Sequence, residues 1–418
     1  AAATVREPGG GRRLAAFQAR YLTVQILCFF TDFLQGAYLY KVYQERGYDV
    51  GSMSLFFLGG IIASLAASFG IGTLVDRRGR RAGCVAFCAL HAVQCCLLGS
   101  ARFPVLLLGR ALGGVAASLL NTSLECWLVT AHQARGLPTA ALASTFSLSA
   151  IGLGGAAVVA GVVAGALVKQ HGIMAPFYFA SGMAIFTAAI TLLLWEENYG
   201  GSASGSRGNG SGNANTKAEV ATVKAGASLR EAFRRIRTDR RVAALGAVQV
   251  LFESSLIVFV LLWAPTLLSA AGMADANLGL VYSMLMVAVM AGSGVFRVVT
   301  AVLPPRRCVS PEAVMAGAAF VGAISLGIVA AGAPPRGLLG AFASFEACLG
   351  AYFPAMGVTR SKVLGDDVRA VTMGIFRLAL NALTALLLLS VVWPRWAKDL
   401  KRPLAFGTCA AFLAVAGV

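Results

Sequence analysis

The chain has 418 residues, of which 58% are hydrophobic and only 13% charged, against about a quarter charged in soluble globular proteins. A mean hydropathy of +0.75 excludes both a water-soluble globule and a single membrane anchor, since one span takes only about 20 residues. The formal net charge of +17, from 35 Lys and Arg against 18 Asp and Glu, would suggest nucleic acid in a soluble protein. Here the charges sit between apolar runs, so the expected partner is a lipid bilayer and no nucleic acid.

Apolar runs long enough to cross a membrane fall at 19–43, 52–75, 82–101, 104–131, 140–168, 172–195, 242–269, 277–303, 309–333, 336–359, 370–393 and 402–418. They form two sets of six. The basic, Gly-rich start leads straight into the first run, so no cleavable signal peptide is expected. Of the nine cysteines, Cys28, Cys88, Cys95, Cys96, Cys126 and Cys348 lie inside apolar runs, where no disulfide framework is expected. Between the sixth and seventh runs, 200–227 is rich in Gly, Ser, Asn and Ala and reads as a flexible linker. Ser228 and Glu231 then have capping-box spacing. Leu229, Phe233 and Ile236 recur on one helical face among Arg230, Arg234, Arg235 and Arg237, which predicts a basic helix on the membrane surface. The expected domains are 1–199, a cytosolic linker with this amphipathic helix at 200–241, and 242–418.

Lys and Arg set the orientation. With the N-terminus in the cytoplasm, inner segments hold 23 of them, among them Arg135, Arg360, Lys362 and Arg369, and outer segments nine, among them Lys41, Arg46 and Lys169. Both termini are therefore expected to be cytoplasmic, with the plasma membrane as the host. The group Arg395, Lys398, Lys401 and Arg402 in the last outer loop departs from this rule.

After the second span comes Gly72-Thr73-Leu74-Val75-Asp76-Arg77-Arg78-Gly79-Arg80-Arg81. This resembles the loop signature of the major facilitator superfamily. The fourth span opens with Gly109-Arg110 followed by Gly113, Gly114 and Ala117, similar to a second element of that superfamily. The Gly-rich fifth span lacks the proline of the antiporter pattern. The resemblance implies an all-α membrane protein with the major facilitator fold, 12 transmembrane helices in two pseudo-symmetric six-helix bundles, and a central cavity opened alternately to either side. It implies a gating role for Gly72, Asp76, Arg77, Gly79, Arg80 and Arg81. Gly72 would let two helices approach, Asp76 would sit at a neighbouring helix N-terminus, and the arginines would pair with an acid of the fourth span.

A narrower resemblance, to the molybdate-anion transporter family, rests on residues 33–43 (Phe33 to Tyr43), 124–127 (Leu124, Glu125, Cys126, Trp127), 196–199 (Glu196 to Tyr199), 239–242, 251–254, 352–354 and 376–377. It implies uptake of a tetrahedral oxyanion.

Ionisable groups inside spans are costly and point to function. The acids are Asp32, Glu125, Glu253 and Glu346 in spans one, four, seven and ten, the helices that line the cavity in facilitator folds. The cations are Arg110, Arg297 and Arg377, with Lys41 near the outer end of span one. A dehydrated dianion calls for guanidinium forks. Arg297 and Arg377 are thus expected as substrate ligands, with Asn121, Asn381, Tyr38 and Tyr352 as neutral donors. The structural alternative pairs Arg297 or Arg377 with Glu346, and Glu125 with Arg80. Bringing a dianion into a negative cell costs about 4.6 kcal/mol per 100 mV. Proton symport through Asp32, Glu253 or Glu346 is therefore expected to accompany it.

Cys88, His91 and Cys95 share one face of span three and read more readily as packing residues than as a metal site. Asn121 and Asn209 match glycosylation triplets but lie in a span and a cytosolic linker, where no modification is expected. The sequence offers no nucleophile–base pair, phosphate loop or redox motif, so no enzyme, cofactor or metal is expected. The reading is a monomeric importer of molybdate or a related oxyanion. The rivals are a carrier of an organic acid or sugar on the same fold, and a non-transporting receptor or scaffold.

Overall fold

The computed structural model describes residues 10–137, 139–199, 230–302, 309–364, 369–392 and 401–417. The expected linker 200–227, with Arg207, Asn209, Lys217, Lys224 and the capping residue Ser228, lies outside the described residues, as do Arg395 and Lys398.

Turn and capping chemistry sets the helix ends. Asp49 accepts from Ser52 N at 2.9 Å and opens α3 (Val50–Arg78). Ser310 accepts from Ala313 N at 3.2 Å and opens α11 (Pro311–Ala330). Asp239 accepts from Arg241 N at 2.9 Å and opens α9 (Arg240–Leu268). In each case a side-chain oxygen takes up an N–H that has no partner inside the helix. Proline stands in the first turns of α5 (Phe103–Ala134), α7 (Ala175–Leu194) and α12 (Pro335–Val363), where its missing N–H costs nothing. The remaining helices are α1 (Gly10–Gly36), α2 (Leu39–Glu45), α4 (Arg80–Leu97), α6 (Thr139–His171), α8 (230–238), α10 (Leu278–Arg297), α13 (Arg369–Val392) and α14 (Lys401–Ala416). α10 continues into one wide π turn, Val298–Val302.

Ten described helices are long and apolar enough to cross a membrane. α14 has 16 residues. α4 carries Arg80, Arg81, His91 and Gln94 in 18 residues, which dilutes its hydropathy. The first span differs from the continuous run expected at 19–43. It reaches from Arg12 to Glu45 but breaks at Ala37–Tyr38 into α1 and α2.

The described residues form two compact units, one drawn from Ala1–Gly205 and Ala276–Val287, the other from Ser206–Asp275 and Ala288–Val418. α10 thus contributes its first residues to one unit and the rest to the other. In the first unit α3 packs on α5, α4 on α5 and α7, and α1 on α6 and α7. In the second the corresponding pairs recur: α11 on α12 and α14, and α9 on α13 and α14, with α10 against α12.

Lipid is as apolar as the side chains, so helices associate through close packing and interhelical hydrogen bonds. Gly114 of α5 lies against the Gly60 carbonyl of α3, and Gly350 of α12 against the Val289 carbonyl of α10, so near that a Cβ at either glycine would collide with backbone. Serines bridge the same pairs: Ser64 Oγ to Ser118 Oγ at 2.8 Å, and Ser293 Oγ donating to Gly350 O at 2.8 Å. The core of the first unit ends in an aromatic stack, with the Trp127 and Trp195 rings 4.0 Å apart and Tyr21 parallel to both.

α8 lies outside the spans. Its Glu231 carboxylate accepts from Arg234 and Arg235 at 2.7–2.9 Å, and these hydrogen bonds hold its pKa down at about 2.

Candidate functional site

The loop signature becomes a tight corner. Only Gly79 separates α3 from α4, at φ 105°, a conformation that non-glycine residues rarely adopt. The corner is held by a strap, 195–199, that follows α7. Glu197 accepts from Arg81 N at 2.8 Å and Ala82 N at 3.1 Å, placing a carboxylate on the positive N-terminus of α4, and its Oε2 is 3.8 Å from Arg81 Nε. Arg80 N donates to Asn198 O, Trp127 Nε1 to Glu196 O, and Trp195 Nε1 to Arg20 O.

Three expectations about this motif need correction. Asp76 caps no neighbouring helix and instead pairs with Arg80, 2.8 Å away on the next turn. Arg80 meets no acid of the fourth span: it donates to Cys126 O at 3.1 Å and to Thr130 Oγ1, and Glu125 is exposed. A Cβ on Gly72 would meet nothing within 4 Å, so the expected close approach is absent there. The glycine the geometry requires is Gly79, whose Cβ would run into Glu197.

Deeper in the first unit, the break in the first span adjoins a polar cluster. Asp32 sits just over one turn before the break, its side chain 38% exposed. Gln35 Nε2 donates to Asp32 Oδ1 at 3.1 Å, and Tyr38 N donates to Gln35 O across the break at 3.3 Å. His91 of α4 is 0% exposed, with Nδ1 3.7 Å from Asp32 Oδ1 and 3.1 Å from Gln94 Nε2. His91 Nε2 and Gln35 Oε1 are buried without partners. Tyr38, expected as a free neutral donor, is engaged locally: its OH donates to Asn277 Oδ1 at 3.0 Å and accepts from Gly279 N at 3.2 Å. Arg110 lies over the Phe57 ring, 4.9 Å from its centroid. Asn121 Nδ2 is taken up by Ala117 O of its own helix. Lys41 lies on α2, half-buried.

The second unit gathers the opposite sign. Glu253 of α9 accepts from Tyr352 OH at 3.4 Å, and Gln249, Arg360 and Arg377 stand within electrostatic reach of its carboxylate. Arg360 Nη2 donates to Gln249 Oε1 at 3.3 Å, while its Nε is buried without a partner. Tyr352 is fixed by stacking on Phe252 at 3.9 Å. Arg360 was counted with a loop because hydropathy falls after 359, yet α12 continues to Val363, which carries this cation into the packed helix. Its place immediately after the apolar run 336–359 is the sequence signal for it.

Arg377 and Asn381 lie one turn apart on α13, the arginine exposed and the asparagine half-buried. Arg297 ends α10 and is exposed. Neither Arg297 nor Arg377 pairs with Glu346, against the structural alternative drawn from the sequence. Glu346 is 4% exposed, and its Oε2 has no hydrogen-bond partner. The described residues contain no group of three His, Cys, Asp or Glu arranged to hold a metal ion.

Comparisons with known proteins bear on the fold and the family. A family model described as sugar transporters with 12 transmembrane helices matches residues 7–352. A molybdate-anion transporter of Danio rerio is 34% identical over 394 residues, covering 90% of this chain and 79% of its own length. Its Xenopus tropicalis counterpart is 31% identical over 388 residues, covering 91% and 80%. Among solved structures, the nucleoside transporter NupG superposes with a TM-score of 0.69 at 13% identity, covering 96% of this chain and 97% of its own. A peptide transporter, POT, in complex with sulfate gives 0.71 at 14%, covering 96% and 92%. At such identities the solved structures speak for the fold alone. The family model and the curated relatives are of transporters, not enzymes. The chain belongs to the molybdate-anion transporter family of the major facilitator superfamily.

Proposed function

We propose that this protein is a secondary active transporter that imports molybdate by alternating access across the plasma membrane, with both termini in the cytoplasm. The observation that carries this reading is the pair Arg360 and Arg377 beside Glu253, in a chain more than 30% identical to molybdate-anion transporters over about nine-tenths of its length. Guanidinium groups replace the hydration shell of a tetrahedral dianion with forked, charge-assisted donors. Arg297, Asn381 and Tyr352 supply further donors from the same unit. Glu253 keeps the arginines oriented while the anion is absent and competes for them when it is present, so release stays possible. The cost of moving two negative charges against the membrane potential, about 2.3 kcal/mol per charge per 100 mV, favours coupling to protons taken up by Asp32, Glu253 or Glu346. The 195–199 strap on the Gly79 corner steadies the loop signature through the cycle.

The test is uptake of labelled molybdate into proteoliposomes, with tungstate and sulfate as competitors. Saturable uptake suppressed by excess tungstate is expected. Absence of uptake, or equal competition by an uncharged sugar, overturns the substrate assignment.

A further inference from the structure

The first unit holds a polar cluster whose chemistry suits a cation. Asp32 and Gln35 supply oxygens, His91 supplies a ring nitrogen, and no Lys or Arg forms an ion pair with Asp32 among the described residues. We propose that Asp32 and His91 together form the proton-binding site that couples transport, with His91 as the partner that takes up and passes the proton. This rests on the transport reading above and adds to it one site and one residue.

The argument starts from the ring. Gln94 Nε2 points at His91 Nδ1 from 3.1 Å, so in this arrangement Nδ1 accepts and the ring proton is on Nε2. Gln94 is itself held in place: its amide lies against Gly113 of α5, where any Cβ would collide with Oε1. A proton arriving on Nδ1 turns it from acceptor to donor. The acceptor nearest to it is Asp32 Oδ1 at 3.7 Å, which a small rotation brings within hydrogen-bond range. A charged imidazolium in a fully buried position is tolerated only beside such a carboxylate. One added proton takes the pair from a net charge of −1 to zero, and an uncompensated charge is what the bilayer interior penalises.

The neighbours leave the pair as the titrating centre. Cys95 of α4 lies within electrostatic reach of Asp32, while Cys28 of α1 meets Cys84 and Cys88 of α4. α6 carries no titratable residue before Lys169, and the only one on α7 is Tyr178, which lies at Gly99 beyond the end of α4. α5 offers Arg110, which is turned toward Phe57 and Gly60 of α3, and Glu125 more than four turns further on. α3 contributes Asp76, Arg77 and Arg78 at its far end.

The site also has a route to conformation. Gln35 links it to the helix break, donating through its side chain to Asp32 and accepting through its carbonyl from Tyr38 N. Tyr38 OH in turn holds Asn277 and Gly279. A proton on Asp32 weakens the Gln35 bond and so loosens the break, the kind of discontinuous span on which carriers build coupling sites.

The experiment has two readings on the whole chain. In nanodiscs, infrared difference spectra between about pH 5 and 8, the range in which histidine titrates, are recorded for wild type, Asp32→Asn and His91→Gln. A protonated-carboxyl band lost in Asp32→Asn and displaced in His91→Gln is expected. In proteoliposomes, His91→Gln is expected to lower accumulation driven by a proton gradient by about tenfold or more, while molybdate counterflow, which moves no net proton, stays within about twofold. No spectral change tied to either residue overturns the proposal. So does His91→Gln accumulating with the wild-type pH profile, or accumulation driven by a sodium gradient in place of protons. Should wild type move no molybdate at all, the substrate reading falls, and the spectra decide the proton site by themselves.

Discussion

The two polar clusters differ in sign, and the difference suits them to different ligands. Around Asp32 and His91 the groups are an acid, an imidazole and two amides, with two buried polar atoms left unsatisfied. Around Glu253 there are two guanidinium groups, a stacked tyrosine and an amide. The first set can gain a proton and lose charge; the second can exchange a carboxylate for an anion. On the proposed reading, a substrate and its coupling ion would meet different chemistry in units built from the same helix pairings.

The sharpest break comes at the arginines. Arg377→Ala and Arg360→Ala each remove a charge-assisted donor worth about 1.5–3 kcal/mol. Molybdate affinity should fall on the order of 10–100-fold while membrane-inserted protein is unchanged. Lysine should rescue only in part, since it lacks the fork. Wild-type uptake by both variants would remove these residues from the site.

A change of opposite direction sharpens the contrast. Glu253→Gln deletes the competitor for the same guanidinium groups, so the anion should bind more tightly, by about tenfold or 1.4 kcal/mol, and leave more slowly. Equilibrium binding together with counterflow rate reads both. Weaker binding would show instead that the carboxylate is needed to hold the arginines in place. Asp32→Asn, in the other cluster, touches no proposed anion ligand. It should leave equilibrium affinity within about twofold while changing the pH response of uptake.

The smallest effect is expected at α8. Glu231 titrates at about 2 in the folded helix, below the ordinary carboxylate value of about 4.3. With its pKa lowered on folding, its contribution is fully present above the ordinary value and fades as pH falls through about 2. The hydrogen-exchange protection factors of 230–238, corrected for the intrinsic pH dependence of amide exchange, should therefore stay flat from neutral pH to about 5 and fall only in stronger acid. Glu231→Gln should erase that acid step.

Much of the architecture was written in the apolar runs, because a bilayer demands long hydrophobic helices with every backbone group satisfied. The loop signature was equally legible in its spacing, but its partners were not. Glu197 is over a hundred residues from Arg81 and reaches it only because the chain folds back after α7. Arg360 was hidden by a boundary placed where hydropathy falls, whereas helix and packing continue past it. His91 stood out as a polar residue in the third span and read more readily as packing than as a metal ligand; its partner became visible only where α1 brought Asp32 beside it.

The sequence by itself determined the all-helical membrane fold and most of the intramembrane charges, Arg360 excepted, because local composition fixes what a membrane accepts. Only the tertiary structure decided which charges meet. The break at Ala37–Tyr38, the Asp32–His91 pair and the Arg360–Gln249–Glu253 group depend on contacts between helices far apart in the chain. Pairing energy falls off within a few ångströms, and no local pattern of residues encodes distances that short.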